Sequence, residues 1–217
     1  MNRVSPLRVI ILLLAAGAMT GCASAYYGTM ESFGVHKREL LVDRVDKALE
    51  TQEEAKEQFA DALERFSAVT EFDGGDLEDL YDDLKDELDD SEEKAEEVAG
   101  RVESVRDVAE ALFDEWEDEL DQYSDGKLRR QSEQSLKETR RRYARLIRAM
   151  ESAEARIDPV LDTFRDQVLY LKHNLNARAV ASLRTQLGGI EQDVQALINA
   201  MNDSIAEART FIEQMET

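Results

Sequence analysis

Few side chains in this sequence are equipped for chemistry. There is one thiol, Cys22, and there are two imidazoles, His36 and His173. Two histidines could share a metal. The helical stretch between their levels places them about 50 Å apart at 1.5 Å per residue. They therefore read as separate surface or packing residues. His173 is the more interesting, because Asn174 and Asn176 stand beside it between Leu171 and Leu175. That grouping is a candidate for a buried polar layer that fixes helix register. Residues 71–97 hold fifteen acids against Lys85 and Lys94. Within that run Asp73, Asp76 and Asp79 are the candidate cation ligands, since Ca2+ takes several oxygens at about 2.3–2.6 Å. The ligand order of an EF-hand is absent, however, and carboxylates on a straight helix point in several directions. A solvated acidic face, with Asp76 as a helix cap, is the better reading, and no metal or cofactor is expected. Arg140-Arg141-Arg142 beside Tyr143 has the look of a nucleic-acid contact. A net charge of −21 argues against that partner. A phosphate-binding Gly-rich loop and a Ser-His-Asp grouping are both missing, and no enzyme is expected.

The thiol has a specific setting. Arg3 and Arg8 precede an apolar run, Val9 to Ala16, which is far shorter than the roughly 20 residues a permanent span needs. Short apolar runs behind positive charge read as secretion signals. This one ends in Met19-Thr20-Gly21-Cys22, which resembles the lipobox of bacterial lipoprotein precursors. Met19 departs from the usual Leu. The resemblance implies cleavage between Gly21 and Cys22, acylation of Cys22, and anchoring of the chain by its lipid. Ala23, rather than Asp, follows the cysteine. In the sorting rule of such proteins this implies the periplasmic face of the outer membrane. The expected organisation is a signal peptide over 1–21, a lipidated tether over 22–34 and a helical domain over 35–217.

The elements that carry these residues are helices. Leu41, Val45, Ala48, Gln52, Ala55, Phe59, Ala62, Phe66 and Val69 alternate steps of three and four, a heptad seam. The spacing predicts a helix over 35–70, broken by Phe72-Asp73-Gly74-Gly75-Asp76. A second helix is predicted over 77–123, with a seam running from Leu77 through Leu84, Val98 and Leu112 to Trp116 and Tyr123. A third starts near Lys127 and holds its seam past Asp158-Pro159, so it reads as one kinked helix. A new helix starting at Pro159 is the alternative. Gly188-Gly189 reads as the turn into a last helix over 190–214. Because the seam keeps its phase across the glycines, a continuous helix is the alternative there. Nothing alternates as a strand does. The fold class is all-α, an elongated antiparallel bundle or coiled-coil rod of about four long helices. Nine Lys or Arg in residues 127–148, against Glu133 and Glu138, suit the acidic second helix. A tight turn at Gly126 should set the acids of 114–119 beside Arg129, Arg130 and Lys137.

Several peptides resemble a bacterial family known as domain of unknown function 2959. They are Val35-His36-Lys37-Arg38 with Leu41-Val42-Asp43-Arg44-Val45, then Phe72-Asp73-Gly74-Gly75-Asp76-Leu77, the stretch from Ala111 to Leu120, and the stretch from Tyr170 to Ala179. The resemblance implies a periplasmic helical lipoprotein and carries over no catalytic residue. The expected function is a non-enzymatic scaffold, spacer or partner-binding module of the envelope. The expected partners are the membrane, through the lipid, and an envelope protein. Self-association into a homo-oligomer is open as well. A periplasmic cation- or small-ligand-binding protein using the acidic hairpin is the alternative.

Overall fold

The computed structural model describes residues 37–71 and 77–216, and every regular element in them is an α-helix. They are α1 (Lys37–Thr70), α2 (Leu77–Leu120), α3 (Gly126–Glu154), α4 (Ile157–His173) and α5 (Ala177–Glu216). Helix α2, with 44 residues, is about 66 Å long at 1.5 Å per residue. The helices pack as a four-sided ring in which α3 and α4 together make one side. α1 lies between α2 and α5, and the α3–α4 pair closes the opposite side against the same two helices.

Polar contacts between neighbours show that the helices alternate in direction. Along α1 and α2, Lys37 pairs with Glu115 at 2.7 Å, Lys94 with Glu54 at 2.8 Å, and Gln58 with Glu87 at 2.7 Å. One number rises as the other falls. The same holds for α1 and α5, where Arg209 meets Glu53, Lys56 meets Asn202 at 3.4 Å and Arg184 meets Thr70. It holds again for α2 against α3 and α4, through Arg140 with Glu117, Arg106 with Glu151, and Arg165 with Glu92. The exposed ion pairs among them are worth about 0–1 kcal/mol each. They set height more than they hold the bundle together.

What holds it is the seam. All nine seam positions predicted for α1 are buried, Gln52 included. Opposite them lie Leu84, Val98, Val102, Val105 and Ala109 of α2, with Val194, Leu197, Met201 and Ala208 of α5. Phe66 of α1 reaches across the core and stacks on Phe164 of α4, with ring centroids 4.4 Å apart. A fully buried side chain of this size contributes about 1.5–3 kcal/mol. Towards the other end Phe113 meets Tyr143 edge-on at 5.4 Å. Burial pushes the Tyr143 phenol up to about 12.

The turns depart from expectation in instructive ways. The second helix stops at Leu120, and Tyr123, expected in its seam, is exposed in the turn that follows. Asp125 caps α3, its Oδ1 accepting from the backbone N–H of Lys127 at 2.7 Å. The third helix is interrupted rather than merely kinked. The break falls at Ala155-Arg156, ahead of Pro159, which sits in the first turn of α4, where its missing N–H would have no helical partner anyway. Asp158 lies inside that turn and is not its cap.

Gly188-Gly189 is not a turn. Both glycines lie inside α5, and the chain reverses at residues 174–176 instead. Asn174 leaves the helical region, with φ −137° and ψ 54°. Asn176 Oδ1 then accepts from Arg178 N–H at 3.0 Å and Ala179 N–H at 3.3 Å, which caps α5. The last helix therefore begins thirteen residues before the predicted Ile190.

Candidate functional surfaces

Gly21, Cys22 and His36 lie outside the described residues, as do Asp73 and Asp76. The structure nonetheless fixes where the chain from Cys22 joins the bundle. α1 begins at Lys37, whose ammonium is paired with Glu115 near the C-terminal end of α2. The hairpin of α2 and α3 projects beyond that level, with Trp116 Nε1 donating to Ser132 Oγ at 2.8 Å and Arg129 meeting Asp121 at 2.9 Å. Lys137 pairs within its own helix, with Glu133, and Arg140 takes Glu117. The expected match of acidic α2 with basic α3 is thus present. Arg140 alone makes it, with Glu117; Arg129 instead meets Asp121 in the turn beyond α2, and among the described residues Arg130 and Lys137 form no ion pair with the acids of 114–119.

Asp79 stands exposed in the first turn of α2. Among the described residues no group of three or more His, Cys, Asp or Glu is placed to hold a metal ion. The outer face of α2 carries Asp82, Asp83, Asp86, Asp89 and Asp90, all exposed, with Lys85 bonded to Asp89. Glu87 differs from them. Burial pushes its carboxyl up, against the bond donated by Gln58 and the attraction of Arg65.

His173 ends α4 exposed, Leu175 is 40% exposed, and Asn176 is a cap. These residues form no buried polar layer. The segment is where the chain turns, so its polar groups bond to backbone rather than across a core. The buried polar groups lie elsewhere. Gln52 and Ser204 are fully buried, and neither side chain has a hydrogen-bond partner. At the far end of the rod, Leu169 and Tyr170 join Leu175 as exposed apolar residues.

Arg140, Arg141 and Arg142 are split by the helical turn of about 100° per residue. Arg140 lies over the Phe113 ring, 5.2 Å from its centroid. Arg142 donates to the Gln214 carbonyl at 3.2 Å. Arg141 is exposed and makes no ion pair among the described residues. The run is therefore three separate structural contacts or surface positions, not one patch.

Among the described residues, recesses open on the sides of the bundle. One of about 790 Å³ runs between α3 and α5, with Arg145, Arg148 and Arg156 on one wall and Asp203 and Glu207 on the other. A second, of about 280 Å³, lies between α2 and α4. Burial raises the Glu154 carboxyl on its rim. A third, of about 340 Å³, sits where Arg38, Trp116 and Arg142 converge on the C-terminal end of α5. All are grooves between parallel cylinders rather than enclosed sites with convergent polar groups. The arginine-lined groove was missed in the sequence. Its signal is the pairing of Arg145 and Arg148 with small residues at helical spacing, Ala196 and Ala200.

Among the described residues no helix is long and apolar enough to cross a membrane. No curated protein and no solved structure matches the chain. A family's sequence profile does, over residues 26–215, nearly the whole length of the bundle and of the stretch leading into it. The chain belongs to that family, described as protein of unknown function (DUF2959).

Proposed function

We propose that this protein is a lipid-anchored component of the bacterial envelope, held at the periplasmic face of the outer membrane by acylated Cys22. Its helical rod acts as a non-enzymatic spacer and partner-binding module. The observation that carries the reading is the placement of Met19-Thr20-Gly21-Cys22 directly behind a short apolar run, with the only thiol of the chain at the acylated position. The bundle supports it. The chain reaches the rod at one end, at Lys37, fifteen residues after Cys22. A membrane anchor there leaves α2 to extend about 66 Å along the rod. The far end exposes Leu169, Tyr170 and Leu175, the kind of surface a protein partner covers. Several acyl chains at about 0.8 kcal/mol per buried CH2 make the anchor effectively permanent.

The test is metabolic labelling with a palmitate analogue. The parent chain takes up label and fractionates with outer membranes, while Cys22→Ser remains an unlabelled precursor. Label retained by Cys22→Ser would rule the anchor out. A photo-crosslinking residue at Leu169 identifies what the far end touches. Expected is a defined envelope protein, abolished as a product by charged substitution at Tyr170.

A further inference from the structure

We infer that the groove between α3 and α5 is a self-association surface, and that two copies pair through it side by side and in the same direction. The argument is one of symmetry and charge. Arg145 and Glu207 face each other across the groove at 3.9 Å, which fixes them at one height. The two helices run oppositely, so Arg148, one turn on along α3, is level with Asp203, one turn back along α5. The α3 wall is cationic and the α5 wall anionic at both levels.

A two-fold axis parallel to the rod sets α3 of each copy opposite α5 of the other at equal height. Arg145 and Arg148 of one copy then meet Glu207 and Asp203 of the second, and the reverse pairs form by symmetry. An axis perpendicular to the rod would set α3 on α3, arginine on arginine. Charge therefore selects the same-direction pair. Arg148 suits the role, being exposed and without an ion pair among the described residues. The groove floor includes Ala149, Ala196 and Ala200, short enough for a facing helix to come close. Exposed charge pairs contribute little individually. A shared membrane raises the effective concentration of two tethered copies. The same-direction arrangement keeps both chain starts at one end, as a common membrane requires. The pairing itself depends only on the bundle. Its link to the membrane rests on the anchor proposed above.

The test places Ser152→Cys, on the same groove, in the full chain and treats intact cells with a short bis-maleimide. Expected is a crosslinked dimer that Arg148→Glu or Asp203→Arg each abolishes. Co-expression of the two single variants restores it, because in the mixed pair both facing contacts are again opposite in sign. No dimer in the parent background, a dimer indifferent to the single variants, or a dimer strengthened by Arg148→Glu would each overturn the proposal. The last would mean that α3 faces α3. Failure of mixing to restore the dimer would overturn it too. Helix content by circular dichroism should match the parent in every variant. Crosslinking of the chain without Ser152→Cys would instead expose a free Cys22 thiol, and so sink the anchor reading alone.

Discussion

The guanidinium of Arg184, on α5, caps the end of α1: its Nε donates to the carbonyl of Thr70 at 2.9 Å, and its second nitrogen reaches the same oxygen. α1 has no basic residue in its last turn, and neither has α5. The last carbonyls of a helix carry partial negative charge and lack intrahelical donors. Neighbouring helices supply the missing cations. Arg184 serves α1, while Arg38 donates to the Met215 carbonyl and Arg142 to that of Gln214 at the end of α5. Two ends of the rod are thus tied by arginines that belong to other helices.

Arg184→Ala is therefore expected to destabilise the bundle by about 1 kcal/mol, the scale of a lost charge-assisted cap in a partly exposed setting. Arg184→Lys should recover part of this, because an ammonium keeps the charge and loses the forked geometry. Urea unfolding followed by circular dichroism measures both. Equal stability of parent and Arg184→Ala would show that the contact contributes nothing.

Gly188 and Gly189 give a prediction of the opposite sign. Both lie inside α5, and a methyl group added at either meets no atom within 4 Å. Alanine in a helix interior is more stable than glycine by about 0.5–1 kcal/mol. Gly188→Ala and Gly189→Ala should each raise the unfolding free energy by that amount, seen as a higher urea midpoint at unchanged slope. A loss of stability would mean that the glycines form a turn after all.

The core of this fold was readable because its signal is redundant. Nine seam positions in α1 share one phase, so no single exception, even Gln52, disturbs the reading. The last reversal was not readable for the opposite reason. Adjacent glycines weaken a helix without forbidding it, and Leu183, Ile190, Val194 and Leu197, all buried, carry the seam across them. The real turn depends on a single asparagine cap, Asn176, whose type is common at many positions that are not caps. Surfaces are harder still. Arg145, Arg148, Asp203 and Glu207 become one groove only once two helices distant in sequence lie side by side. The cation candidates Asp73 and Asp76 remain a matter of sequence alone, since they lie outside the described residues.

Stability should rise on mild acidification. Burial is the leading cause that pushes the Glu87 and Glu154 carboxyls up. A carboxyl with a raised folded-state pKa binds its proton more tightly when folded. Its contribution to stability is present below the unfolded value and is lost as pH rises through the folded one. The net charge of −21 acts in the same direction, because protonation relieves repulsion. Against this, hydrogen bonds from Arg140, Lys137 and Lys94 hold Glu117, Glu133 and Glu97 below the ordinary range. Their contribution is lost only as pH falls through those lowered values. Calorimetry should show Tm increasing from about pH 7 to about pH 5 and falling below about pH 4, around the ordinary glutamate value. Glu154→Gln should flatten the upper limb. A Tm that drops steadily from neutrality would contradict the sign.

Gln52 carries the last prediction. It occupies a seam position, is 1% exposed, and neither its amide oxygen nor its nitrogen has a hydrogen-bond partner. Leaving such a group unsatisfied in a core costs about 1–3 kcal/mol. Gln52→Leu puts an apolar side chain of similar size in its place and should stabilise the bundle by about 1 kcal/mol or more. A polar residue in an apolar seam is tolerated when it disfavours other alignments of the helices. The gain should therefore come with a loss of uniqueness: broader amide resonances or a lower urea m-value in Gln52→Leu than in the parent. Ser204→Ala, which removes a second buried polar group without a partner, should leave stability unchanged or slightly raised and the resonances sharp. A destabilised Gln52→Leu would show that the amide finds a partner in solution, and that the position is held by a hydrogen bond rather than by its cost to competing registers.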